Sequence, residues 1–203
     1  NTTVSRHNLD DLLMLGQLLS QFAIELWSVF FLLPVGRANA DQRIEPADYE
    51  LVFELLWSLR QRVPFEIKST EAPHYRRFLL QKLKSKGSED GEEPARPPYT
   101  SMNVNDGRGF VFISHTGEVY PSGFLPLSVG NIHQRPLSEL YRQTQLMKDL
   151  RNPDLLGGKC GCCEFRKVCG GSRARSWALT GDPLAAEPDC VYEPAKLLAS
   201  TPA

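Results

Sequence analysis

Four of the five cysteines sit in one short stretch, "KCGCCEFRKVCGGS", and the fifth is Cys190 in "AAEPDC". The spacing is Cys160-x2-Cys163-x5-Cys169, then Cys190 after a 20-residue gap, with Cys162 as an extra thiol. An odd number of cysteines, in a sequence with no visible secretion signal, does not suggest a disulfide framework. A CxxC pair aims two thiolates from one tight turn at the same ion, and thiolates select zinc or iron–sulfur clusters. Four cysteines suit a tetrathiolate zinc site or a 4Fe–4S cluster. Zinc ribbons use two separate CxxC or CxxH knuckles, and the Cys-x5-Cys half is less zinc-like. Spacing alone leaves both metals open, with buried thiols holding no metal as a third reading.

Other residues with chemical potential lie at predicted strand ends. "LLPVGRA" places Gly36 and Arg37 in the loop after a strand, and in β/α folds such loops build the site. Arg37 either binds a carboxylate or pairs with a neighbouring acid. "KSTEAPHYRR" offers Lys68, Glu71, His74 and Arg76, each read singly as a rim or surface residue. Asn1 and Thr3 stand at an earlier strand end. Arg173 and Arg175 follow the cysteine loop on a predicted helix with Trp177. They either stabilise negative charge beside it or face solvent. Gly170 and Gly171 let the backbone approach sulfur and donate N–H bonds to it. His115 and His133 read as structural or surface histidines.

The elements that must position these residues follow from periodicity. "NTTV" is a strand end, with Asn8 as an N-cap and "LLMLGQLL" as a helical stripe. "IELWSVFFLL" reads as a strand buried on both faces. Pro46 opens a helix in which Tyr49, Val52, Phe53, Leu56 and Leu59 repeat at helical spacing. "VPFEIKST" is the next strand, and "APHYRRFLLQKL" the next helix. This alternation predicts a parallel α/β sheet with right-handed crossovers over residues 1–83. Three such units cannot close a barrel but can be the last part of one. Residues 84–98, "KSKGSEDGEEPARPP", read as a flexible linker. Residues 99–203 change character: "GFVFISHTGEVYPSGF" is a hairpin, and "RPLSELYRQTQLMKDL" one short helix. The opening "NTTVSRHNLD" reads as a chain cut within a domain.

Composition bounds the function. The 203 residues are 41% hydrophobic and 23% charged, with a formal net charge of −1. That balance gives no bulk electrostatic reason to expect nucleic acid or an anionic membrane as partner. No apolar run approaches the ~20 residues that span a bilayer, and the expected location is cytoplasmic.

"CGCCEFRKVCGGSRARSWALTGDPLAAEPDC" closely resembles the auxiliary-cluster region of radical S-adenosylmethionine enzymes of the SPASM/twitch type. "NTTVSRHN", "LWSVFFLLPVGRA" and "STEAPHYRR" look like later strands of the partial TIM barrel in members related to haem-pathway and peptide-maturing enzymes. "FISHTGEVYPSGFLPLSVGNIHQRPLSELY" looks like the hairpin and helix opening the auxiliary domain. The implied fold is the C-terminal part of a partial TIM barrel followed by a small α+β SPASM/twitch-like domain. The resemblance implies one auxiliary 4Fe–4S cluster on Cys160, Cys163, Cys169 and Cys190, with Cys162 a free thiol. Gly36 and Arg37 would meet S-adenosylmethionine or substrate. The intact parent would also hold S-adenosylmethionine and a second 4Fe–4S cluster. It would act on a peptide, tetrapyrrole or other small molecule and draw on a reductant such as flavodoxin or ferredoxin.

Two departures bear on the cluster count. Full SPASM domains hold two auxiliary clusters. Their first cluster takes a sulfur from the hairpin, where this chain has Ser122, and another just after CGG, near Ser172. Losing both implies one cluster. The CxxxCxxC loop that binds the radical-generating cluster does not occur in these 203 residues, so this stretch alone is expected to be inactive. The reading from a different class is a non-catalytic four-cysteine zinc module.

Overall fold

The computed structural model describes residues 1–90 and 104–198. They group into two compact units: residues 1–90 with Asp189–Val191, and residues 104–188 with 192–198. Residues 91–98 of the expected linker and 99–103 of the expected second domain lie outside the described residues.

The first unit is an α/β layer built on a three-stranded parallel sheet. Its strands are β1 (Thr2–Val4), β2 (Leu26–Phe31) and β3 (Glu66–Thr70), in the order β1-β2-β3. The register pairs Thr2 with Val29 and Trp27 with Ile67. Each strand is followed by a helix: α1 (Leu12–Leu19), α2 (Pro46–Arg60) and α3 (His74–Asp90). Parallel neighbours need such crossovers, so the predicted alternation and the parallel sheet have one cause.

Trp27, Val29 and Phe31 alternate along β2 and are buried, while Ser28 and Phe30 between them are half-buried. The expected burial on both faces is therefore corrected: the inward triplet packs into the helix layer, and the other face is less covered. All five residues predicted for the α2 stripe are buried. Phe31 stacks on Tyr49 with ring centroids 5.0 Å apart, and Tyr49 and Phe53 flank His74. Burying a side chain of that size contributes about 1.5–3 kcal/mol.

Local corrections have local causes. Asn8 does not cap α1, whose N-cap position is Asp11. Its Oδ1 accepts the Ser5 N–H at 2.9 Å and its Nδ2 donates to the Thr3 carbonyl, closing the turn after β1. Pro46 does open α2. α3 runs on to Asp90, into the stretch read as linker, because its lysines and other helix formers outweigh one glycine.

The second unit begins with the predicted hairpin, β4 (Phe112–Ile113) antiparallel to β5 (Glu118–Tyr120), extended by β6 (Gly130–Asn131). The single helix expected after it is two, α4 (Leu137–Gln143) and α5 (Gln145–Arg151). Thr144 takes an extended ψ of 142° and its hydroxyl donates to the Leu140 carbonyl at 2.6 Å, satisfying a helix-end acceptor while the chain turns. Val119, Leu140 and Met147 form the core beneath. α6 (Gly158–Cys162), α7 (Arg173–Thr180) and the short α8 (Ala195–Leu198) follow. Among the described residues, no helix is long and apolar enough to cross a membrane.

Candidate metal centre

α6 is a single helical turn that carries Cys160 and Cys162, and Cys163 ends it in an extended conformation. Its start is held by the Gly157 N–H, which donates to the Leu184 carbonyl at 2.7 Å. Two turn hydrogen bonds then bring the chain round from Cys163 to Cys169. Arg166 N–H donates to the Cys163 carbonyl at 3.1 Å, and Cys169 N–H to the Phe165 carbonyl at 2.9 Å. The outside of the turn is tied by Arg166 to Asp154 at 2.9 Å and by the Tyr192 hydroxyl to Glu164. That hydroxyl holds the Glu164 carboxyl below its usual range.

The sulfurs are treated differently. Cys160 Sγ accepts the Glu187 backbone N–H at 3.3 Å, and Cys169 Sγ accepts the Gly171 N–H at 3.4 Å. Such bonds favour negative charge on sulfur. Cys162 Sγ instead lies 3.5 Å from the Lys159 carbonyl, to which it donates. No disulfide joins any of the five, and each is part-exposed. Cys190 lies in the Asp189–Val191 segment that groups with the first unit. There its neighbour Asp189 is buried, accepts from the Tyr49 hydroxyl at 2.9 Å and pairs with Arg43. Among the described residues, no group of three His, Cys, Asp or Glu side chains is gathered closely enough to hold a metal ion.

The donor chemistry nonetheless suits a thiolate-bound group. Two sulfurs accept backbone N–H donors, and Gly171 has φ +66°. A Cβ there would run into the Arg173 guanidinium and lie 2.8 Å from the Glu187 Cβ. Only glycine fits this close approach beside Cys169.

Ser122 and Ser172 have other work. Ser172 is the N-cap of α7, its hydroxyl accepting the Arg175 N–H at 3.1 Å, and it is fully buried. Ser122 is buried beside Asp106, and its hydroxyl accepts the Phe124 N–H at 3.3 Å. Asp106 accepts the Ala174 N–H at 3.0 Å, placing an acid at the positive end of the α7 dipole. Burial pushes the Asp106 carboxyl up, against the Ser122 hydroxyl, the Ala174 N–H and Arg173.

Of the two alternatives for the arginines of α7, the structure rules out the solvent-facing one. Arg173 and Arg175 are 1% and 0% exposed, so they do not face solvent. Arg173 donates to the carbonyls of Pro183 and Ala185 at 3.0 and 2.7 Å. Arg175 forms a buried ion pair with Glu187 at 3.3 Å. Asp106 and Glu187 were not singled out from sequence. Their signal was weak: one acid upstream and one downstream of a helix whose first turn holds two arginines.

In the first unit, Gly36 and Arg37 are exposed after β2, and Gly36 has φ +64°. Among the described residues, Arg37 has no ion-pair partner, so the pairing with a neighbouring acid is not formed. His74 is not a rim residue but fully buried among aromatic rings. Lys68, Glu71 and Arg76 are part-buried, and Glu71 adopts φ +59° at the end of β3. A non-glycine residue held there costs on the order of 1 kcal/mol or more. Asn1 and Thr3 are exposed, as are His115 and His133.

No family model matches the chain. It is 38% identical, over 97% of its length, to an AdoMet-dependent heme synthase of Methanosarcina barkeri, covering 56% of that protein. A second AdoMet-dependent heme synthase, from Nitratidesulfovibrio vulgaris, is 38% identical over 97% of the chain and 54% of its own length. A pre-heme d1 synthase of Dinoroseobacter shibae is 40% identical over 41% of the chain and 22% of its own length. The chain thus spans about half the length of the heme synthases it matches. The resemblance read from the motifs and these relatives point the same way, to AdoMet-dependent enzymes.

Proposed function

We infer, from a homology to AdoMet-dependent enzymes that runs through 97% of the chain, that this is the C-terminal part of a radical S-adenosylmethionine enzyme. In this reading the parallel βα units are the last part of a partial TIM barrel. The second unit is a SPASM/twitch-like domain with one auxiliary 4Fe–4S cluster on Cys160, Cys163, Cys169 and Cys190. The relatives' names favour a tetrapyrrole as substrate over a peptide.

A bound 4Fe–4S cluster supplies one-electron redox capacity. Four thiolate ligands leave no open coordination position, which favours electron relay over direct ligation of substrate. The protein's own part is to hold thiolates with directed N–H groups and to keep Cys162 out of the set by engaging it with Lys159. The hydrogen bonds of the buried Ser122 and Ser172 support a single auxiliary cluster, since both residues serve the fold. Arg37 is an exposed cation after β2, suited to a carboxylate of S-adenosylmethionine or substrate, with Gly36 giving the backbone room. The radical-generating CxxxCxxC loop belongs, in this proposal, to the intact protein, as does reduction by a flavodoxin or ferredoxin.

Anaerobic purification of the intact protein tests this. Brown protein with iron and sulfide is expected. Serine at Cys160, Cys163, Cys169 or Cys190 should each lower the iron content, and Cys162→Ser should leave it unchanged. Colourless protein holding one zinc per chain, with no cluster after reconstitution, sinks the reading and leaves the zinc module.

A further inference from the structure

We propose that Glu187 is a positioning residue that sets the N–H···S bonds of the cysteine pocket, an inference that rests on the cluster assignment above. Its backbone N–H donates to Cys160 Sγ at 3.3 Å. Its carboxylate, 1% exposed, accepts the Ser172 N–H at 2.6 Å through one oxygen and pairs with Arg175 at 3.3 Å through the other. Ser172 directly follows Gly171, whose N–H donates to Cys169 Sγ at 3.4 Å. One acid therefore ties together the two peptide segments that present hydrogen to two different sulfurs.

The surroundings leave these segments little freedom. Arg173 donates to the Pro183 and Ala185 carbonyls, and the Leu184 carbonyl accepts from Gly157 at the start of α6. The 183–187 loop is thus fastened to α7 on one side and to the cysteine helix on the other. Gly171 packs so closely on Glu187 and Arg173 that no side chain is admitted. Donors held in this way oppose charge build-up on thiolate sulfur and raise the reduction potential of whatever the thiolates bind. Losing the Glu187 carboxylate frees the Gly171–Ser172 peptide and the Glu187 peptide together.

The test must separate this role from the cost of an orphaned buried arginine, which is large. Two double variants of the intact holoprotein do so. Arg175→Met with Glu187→Gln removes both charges but keeps a carbonyl acceptor for the Ser172 N–H. Arg175→Met with Glu187→Leu removes the acceptor as well. Iron release to a chelator and the midpoint potential of the auxiliary cluster, followed by its electron paramagnetic resonance signal, are compared. The Gln form is expected to stay near wild type. The Leu form should release iron roughly 10-fold faster, the scale of a lost supporting hydrogen bond, with a lower potential. Equal release rates and potentials in the two variants overturn the role of Glu187. Wild-type iron that does not depend on Cys160 and Cys169 overturns the cluster assignment itself.

Discussion

Asp106 illustrates how much one buried residue carries. It sits beside Ser122 of the hairpin and caps α7 through Ala174. Burial pushes its carboxyl up, so the folded protein binds that proton more tightly than the unfolded chain does. Its contribution to stability is fully present below the ordinary carboxylate pKa and is lost as pH rises through the raised value. Asp106→Asn should flatten the dependence of the urea midpoint on pH across that window, and an unchanged slope would refute the assignment. The cysteines were legible at this scale because their type and spacing are chemical signals in themselves. Asp106 and Glu187 were not, since an acidic residue in a loop looks solvated until the fold buries it.

At the scale of elements, α7 shows why capping residues matter. Ser172 accepts the Arg175 N–H, Asp106 accepts the Ala174 N–H, and Gly181 ends the helix in the left-handed conformation at φ +78°. Ser172→Ala removes the cap and should cost about 0.5–2 kcal/mol in chemical denaturation. A cost near zero would return Ser172 to a mere relic of a sulfur site. The helices and strands were largely legible from periodicity, as the α2 stripe shows residue by residue. The break at Thr144 was not, because a threonine hydroxyl that takes up a helix carbonyl leaves no mark in a hydrophobic pattern. Nor was the extension of α3 to Asp90, where charge and one glycine suggested a linker.

Over the whole molecule, each unit buries its own core. Leu56 belongs to the aromatic cluster of the first and Leu140 to the small cluster of the second. Truncating either to alanine should cost about 2–5 kcal/mol, read from urea unfolding. A loss well under 1 kcal/mol at Leu56 would contradict its fully buried place. By itself, the sequence determined the α/β alternation and the hairpin, because periodicity is a property of neighbours along the chain. Tertiary structure alone decided that Arg173 and Arg175 are buried, that Glu187 clamps two sulfur-facing peptides, and that Ser122 and Ser172 are built into the fold. Some of these partners are near in sequence, as Arg175 is to Ser172, but burial changes the energy of a charge or hydroxyl in ways that no local pattern encodes.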